Sequence, residues 1–200
     1  MTQRQLAPAP PPRPNRELVL FRHAKSAWPD VPDHERPLAG RGTRAAPVMG
    51  RWLRDAGLVP DLVLCSTARR ARETWQFAQP GLAATPPVSF ADRIYGEDAA
   101  ELLALIREVP PATGTLLLIG HNPAIEDLAL MLAAPGPDPG TAGPDATNPG
   151  ALERMRAKFP TAAIAVLEPA GAWHELAPGQ ARLTAFVTPR DLPMSSDERG

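Results

Sequence analysis

The chain has 200 residues, enough for one compact domain with tails, and 44% of them are hydrophobic, which excludes a wholly disordered chain. Lys+Arg number 21 against 22 Asp+Glu, a net charge of −1, so general attraction to nucleic acid or a membrane surface is not expected, although a local basic pocket is permitted. A single cysteine excludes an internal disulfide framework and any multi-Cys zinc site, and makes a reducing, cytoplasmic location the expectation. No apolar run approaches the roughly 20 residues of a membrane span, and the opening segment Met1–Pro8 lacks the apolar stretch of a signal peptide.

Proline, at 26 residues, is the compositional oddity, and it is clustered. Five prolines fall in residues 1–16, which reads as a disordered Pro-rich tail over 1–15, with a PxxP-type ligand as the alternative. Nine of the sixteen residues in 135–150 are Pro or Gly, so a mobile loop is expected there. Residues 193–200 read as a flexible C-terminus, leaving 16–192 as the folded domain.

Within that domain apolar runs alternate with helical periodicities. Glu17–Phe21 predicts a buried strand. Thr43–Ala56 predicts a helix, with Thr43 as N-cap and Gly57 as its stop. Asp61–Cys65 reads as a strand, Ala68–Ala78 and Ala99–Val109 as helices, and Thr115–Ile119 as a further buried strand. Asn122-Pro123 looks like an N-cap followed by proline at the first helical position, opening a helix through Leu132. Ala162–Leu167 reads as a strand, with Ala172–Leu176 and Arg182–Val187 as short closing strands. The alternation implies an α/β fold, a three-layer α/β/α sandwich on a mostly parallel central sheet.

Polar signatures follow three of the strands directly. These are Arg22-His23, the Ser66–Thr74 segment with Arg70, and Gly120-His121-Asn122-Pro123. Parallel neighbouring strands would bring them to one crevice beyond the carboxyl ends of the sheet. Arginine matches phosphate oxygens with a rigid donor fork, and a neutral imidazole nitrogen can attack phosphorus. Arg70 would sit early in its helix with its side chain leaning back toward the strand end, whereas Arg69 and Arg72 lie on other faces. Lys25 and Ser26 are candidates to touch the phosphate or substrate, with a solvated loop as the alternative. Trp28 either lines the entrance or packs. Cys65 reads as a core residue, Ser66 and Thr67 as a helix start, and His34 and His174 as surface or structural residues.

Leu20–Trp28, Asp33–Gly42, Asp61–Thr74 and Gly120–Pro123 together resemble the histidine phosphatase superfamily, and within it the SixA-type phosphohistidine phosphatases. Lys158–Thr161 and Thr188–Leu192 add to the likeness, which spans roughly residues 16–192. The resemblance implies a phosphoglycerate mutase-like fold and a phosphatase without metal or cofactor. His23 would take the phosphoryl group, Arg22, Arg70 and His121 would hold it, and water would release it. The implied partner is a phosphohistidine protein of a phosphorelay or, alternatively, a small phosphoester. A phosphate-recognition module without turnover is the competing class. Ala24 stands where many members have glycine, and Thr67 where many have proline. The middle region is short, so the proton donor is Glu97, Asp98 or absent. A missing acid would favour phosphohistidine, whose ring can leave already protonated, over an alkyl phosphate.

Overall fold

The computed structural model describes residues 16–133 and 147–193. The Pro-rich tail 1–15, most of the 135–150 segment and the last residues lie outside the described residues. The uninterrupted apolar run at Glu17–Arg22 forms β1, and equally apolar runs form β2 (Leu62–Ser66) and β4 (Thr115–Gly120). With β3 (Val88–Ala91), β5 (Ile164–Pro169) and β6 (Ala181–Val187) they make a six-stranded sheet of order β3-β2-β4-β1-β5-β6 among the described residues. Only β5 runs against the others, so the sheet is mostly parallel.

Successive residues of β1 explain the sandwich. Val19 and Phe21 face one hydrophobic cluster, packed by α1 (Gly40–Asp55) and α2 (Arg69–Leu82). Leu18 and Leu20 face the other, packed by α3 (Ala99–Arg107), α4 (Ala124–Leu132) and α5 (Pro149–Ala157). A strand covered on both faces has no polar side to show, hence the unbroken apolar runs. The result is the expected α/β/α sandwich on a mostly parallel sheet.

Several boundaries differ from expectation for physical reasons. Thr43 is not the N-cap of α1. The helix begins at Gly40 after Ala39, and the Thr43 hydroxyl donates to the Gly40 carbonyl. Gly57 does close it, in the left-handed region at φ 74°. Nor is Asn122 an N-cap: α4 starts at Ala124, the Asn122–Pro123 bond is cis, and the Asn122 amide donates to Glu126 and the Phe159 carbonyl. The predicted strand Ala172–Leu176 is a short 3-10 turn at Trp173–Glu175. The buried residues here, Trp173 in the turn and Leu176 just after it, stand three apart, which is turn spacing rather than strand alternation. The 135–150 loop ends early, because Asn148 caps α5 at the Ala151 N–H and Pro149 opens the helix. Ala162 has φ 62° in the turn before β5, so that strand starts at Ile164.

Candidate active site

The register makes three strand ends level. Arg22 of β1 pairs with Gly120 of β4, each the first residue of its polar signature, and Cys65 of β2 pairs with Ile119, each one residue before its own. Because β4 lies between β1 and β2, the residues that follow all three meet above the carboxyl edge of the sheet. His23 and His121 stand with ring centroids 4.9 Å apart and planes tilted by 51°.

His23 is 8% exposed, and its Nδ1 lies 2.8 Å from the Ala24 carbonyl oxygen. A carbonyl only accepts, so Nδ1 carries the proton and Nε2 keeps its lone pair. Burial, reinforced by the charges of Arg70, Arg22 and Arg36, pushes the His23 pKa down to about 4. The strand-end turn is braced around it. The His23 N–H donates to the Gly120 carbonyl, and the Ala24 N–H donates to Thr74 Oγ1 of α2. His121 is likewise depressed, to about 3, by burial and by His23 and Arg70. Its Nε2 shares a hydrogen bond of 2.8 Å with the fully buried Ser66 Oγ, and its Nδ1 is buried without a partner among the described residues.

Both guanidiniums reach the same region by different routes. Arg22 donates to the Phe159 carbonyl at 2.6 Å, while its buried Nε has no partner among the described residues. Arg70, second residue of α2, is 7% exposed, and its charge bears on both imidazoles. Arg69 and Arg72 are exposed on other faces, and Arg69 pairs with Glu73.

Asp33 is the residue that sequence reasoning passed over. Its carbonyl and carboxylate both accept from Arg70, at 2.7 and 3.0 Å, and the carboxylate also accepts from Arg36 and from the Tyr95 hydroxyl. Desolvation, the largest single effect, acts to raise its carboxyl, but the Arg36, Tyr95 and Arg70 donors together outweigh it and hold it down at about 2, so it is ionised. Tyr95 in turn packs edge-on to His121 at 5.6 Å and to His34 at 4.9 Å. His34 therefore belongs to the layer supporting the site, through Tyr95 and a 3.1 Å hydrogen bond to Thr67. The Asp33–Gly42 stretch of the resemblance was the one available signal, since no periodicity marks a loop acid.

The remaining candidates separate. Ser26 is buried and its hydroxyl accepts from Arg36, so it braces the loop. Lys25 is exposed and faces a neighbouring cavity beside Arg22. Trp28 is 77% exposed with the Arg36 guanidinium stacked on it at 3.2 Å. Asp98 is spent capping α3, accepting from Ala100 and Glu101, and Glu97 is exposed. His174 is on the surface, and Cys65 is buried with its thiol pushed up to about 12 by desolvation. Among the described residues no group of three His, Cys, Asp or Glu side chains could hold a metal ion, and no helix is long and apolar enough to cross a membrane.

Two uncharged imidazoles beside two guanidiniums at the end of a parallel sheet define a protein that handles phosphoryl groups. Residues 18–98 match the family model of the histidine phosphatase superfamily, branch 1. An uncharacterized protein of Mycobacterium tuberculosis is 45% identical over 171 residues, covering 85% of this chain and 100% of that relative. The structure of a candidate phosphohistidine phosphatase SixA from Nakamurella multipartitia is 36% identical, with TM-score 0.75, over 90% of this chain and 99% of that one. A second candidate SixA structure, from Agrobacterium tumefaciens, is 28% identical, with TM-score 0.67, over 86% and 97%. The chain belongs to the histidine phosphatase superfamily. It is a SixA-like, histidine-type phosphatase.

Proposed function

We propose that residues 16–192 form a phosphohistidine phosphatase domain that works through a covalent phosphoryl group on His23. The observation that carries this reading is the 2.8 Å contact of His23 Nδ1 with the Ala24 carbonyl, which commits the Nδ1–H and leaves Nε2 free, while burial keeps the ring neutral. The Nε2 lone pair attacks phosphorus in line, and the bond to the leaving atom breaks with its electron pair going to that atom. The Ala24 carbonyl accepts from the phosphoimidazolium so formed. Arg22, Arg70 and His121 hold the phosphoryl oxygens, and their charge and hydrogen bonds favour the transition state, in which charge spreads over those oxygens. Water then attacks phosphorus, the P–N bond breaks, Nε2 regains its pair, and inorganic phosphate leaves carrying both hydrogens of the water.

The acid inventory supports a phosphorylated imidazole as leaving group. Asp33 is ionised and Asp98 is a helix cap. A phosphohistidine ring protonated on its other nitrogen departs neutral and takes no proton from the enzyme, whereas an alkoxide would need one. The partner is accordingly a phosphohistidine protein. We expect a phosphohistidine protein labelled in its phosphate to leave an acid-labile, alkali-stable label on His23 after rapid quench. Turnover should be insensitive to EDTA, absent in His23→Ala, and faster than with p-nitrophenyl phosphate. Turnover surviving in His23→Ala would overturn the mechanism. Faster p-nitrophenyl phosphate turnover would point to a small phosphoester, and phosphate binding without any turnover to a recognition module.

A further inference from the structure

Beside the phosphoryl site, on the other flank of β1, lies a cavity of about 550 Å³. Small-molecule sites occupy roughly 300–1,000 Å³. It opens over the β1–β5–β6 part of the same sheet edge, and Arg22 lines it. Arg22, Lys25, Arg41, Arg154, Lys158 and Arg190 all contribute to its wall. Six cations in one concavity are a strong bias in a chain whose net charge is −1.

The acid available to them is already committed. Among the described residues Asp191 is the one carboxylate lining the cavity, and it accepts from Arg154 at 2.5 Å and from the Thr188 N–H at 2.8 Å. The side chains of Lys25, Arg41, Lys158 and Arg190 make no hydrogen bond or ion pair among the described residues. Gathering like charges in a concave wall costs stability through mutual repulsion, and a bound anion relieves it. The basic groups come from four separate places: the end of β1 with the turn after it, the start of α1, the C-terminal part of α5 with the residue that follows, and the turn after β6. Their convergence follows from the tertiary fold rather than from one basic run.

We propose that this cavity is a second anion subsite, taking a further phosphate or carboxylate group of the substrate while the scissile phosphoryl group sits at His23. The proposal rests on the phosphatase reading and narrows it: the preferred substrate is polyanionic, with Arg22 between its two charged groups. Two sources share this chemistry, a second phosphate on a small molecule or acidic residues flanking a phosphohistidine.

The full chain is assayed with p-nitrophenyl phosphate, and straight-chain alkyl monophosphates and α,ω-bisphosphates of two to eight carbons are added as inhibitors. In parallel, phosphohistidine peptides flanked by Glu or by Ala are compared as substrates. The subsite predicts that one bisphosphate length, or the Glu-flanked peptide, gains about tenfold over its singly charged counterpart, as expected for one or two charge-assisted hydrogen bonds. The gain should shrink with added salt. It should vanish in Lys158→Ala/Arg190→Ala while kcat and KM for p-nitrophenyl phosphate stay unchanged. A bisphosphate gain identifies a small-molecule source and a Glu gain identifies a protein. No gain in either arm, or a gain that persists in the double variant, overturns the subsite. Should the wild-type protein show no turnover, the phosphatase reading fails while the subsite is still read by heat denaturation. Pyrophosphate then raises the Tm of His23→Ala but not of the same chain carrying Lys158→Ala/Arg190→Ala, and equal shifts overturn the proposal.

Discussion

A histidine nucleophile is useful only when unprotonated, and His23 is kept so by its position rather than by a neighbouring base. Desolvation acts first, and Arg70, Arg22 and Arg36 add to it. The same arginines that favour a dianionic phosphoryl group thus disfavour a proton on the ring. The sign of the pH dependence follows: as pH falls, the nucleophile is lost near about 4, not near the ordinary value of 6.5. A ring-proton NMR titration should find His23 unchanged between pH 8 and about 5.5, with its midpoint near 4. Arg70→Gln should move that midpoint upward. A wild-type midpoint near 6.5 would mean that the ring is solvated.

Helix α1 is positioned by contacts too close for any side chain. A Cβ on Gly50 would fall 2.0 Å from the Ala78 carbonyl oxygen of α2, so the two helices cross there backbone to backbone. A Cβ on Gly42 would fall 2.2 Å from the Lys25 carbonyl oxygen, two residues after His23. The two glycines therefore separate stability from function along one helix. Gly50→Ala should lower stability by roughly 1–3 kcal/mol, read as a fall in Tm, while leaving activity per folded molecule near wild type. Gly42→Ala should displace the strand-end turn and reduce kcat/KM by about 10–100-fold in the folded protein, because small misplacements at a nucleophile cost that much. Equal effects of the two on kcat/KM would show that the turn does not depend on α1.

For the whole molecule, the buried histidines and a half-buried acid oppose one another in pH-dependent stability. His23 and His121 have folded pKa values below their unfolded ones, so the unfolded chain binds more protons and stability falls as pH drops from 6.5 toward 4. Glu17, at the start of β1, is raised to about 7 by burial and by Glu168. Its contribution is therefore lost as pH rises from 4.5 through 7. Glu17→Gln removes that loss. The Tm of the variant relative to wild type should be higher at pH 8 than at pH 5, and a difference independent of pH would show that Glu17 ionises normally.

The sequence by itself determined the frame and its chemistry. Runs such as Leu18–Phe21 and Leu116–Ile119 have no polar face, so they could only be strands buried on both sides. Arg22-His23 and His121 directly follow such strands, so their place at the sheet's carboxyl edge followed from chain order once the strands were parallel. What local pattern could not carry was decided by tertiary contact. β3 is a four-residue edge strand after two prolines, with half of its residues exposed, and offers no periodicity to read. The 3-10 turn at Trp173 looks like an alternating strand until Trp173 donates to the Thr113 carbonyl and buries with Leu176. Asp33 is one loop acid among many in the sequence, and only folding brings it to Arg70, 37 positions away. Six cations drawn from distant elements likewise become one cavity only because β1 and β6 end where β5 begins. Spacing along a chain specifies which groups an element presents, whereas charge and burial depend on every element that arrives beside it.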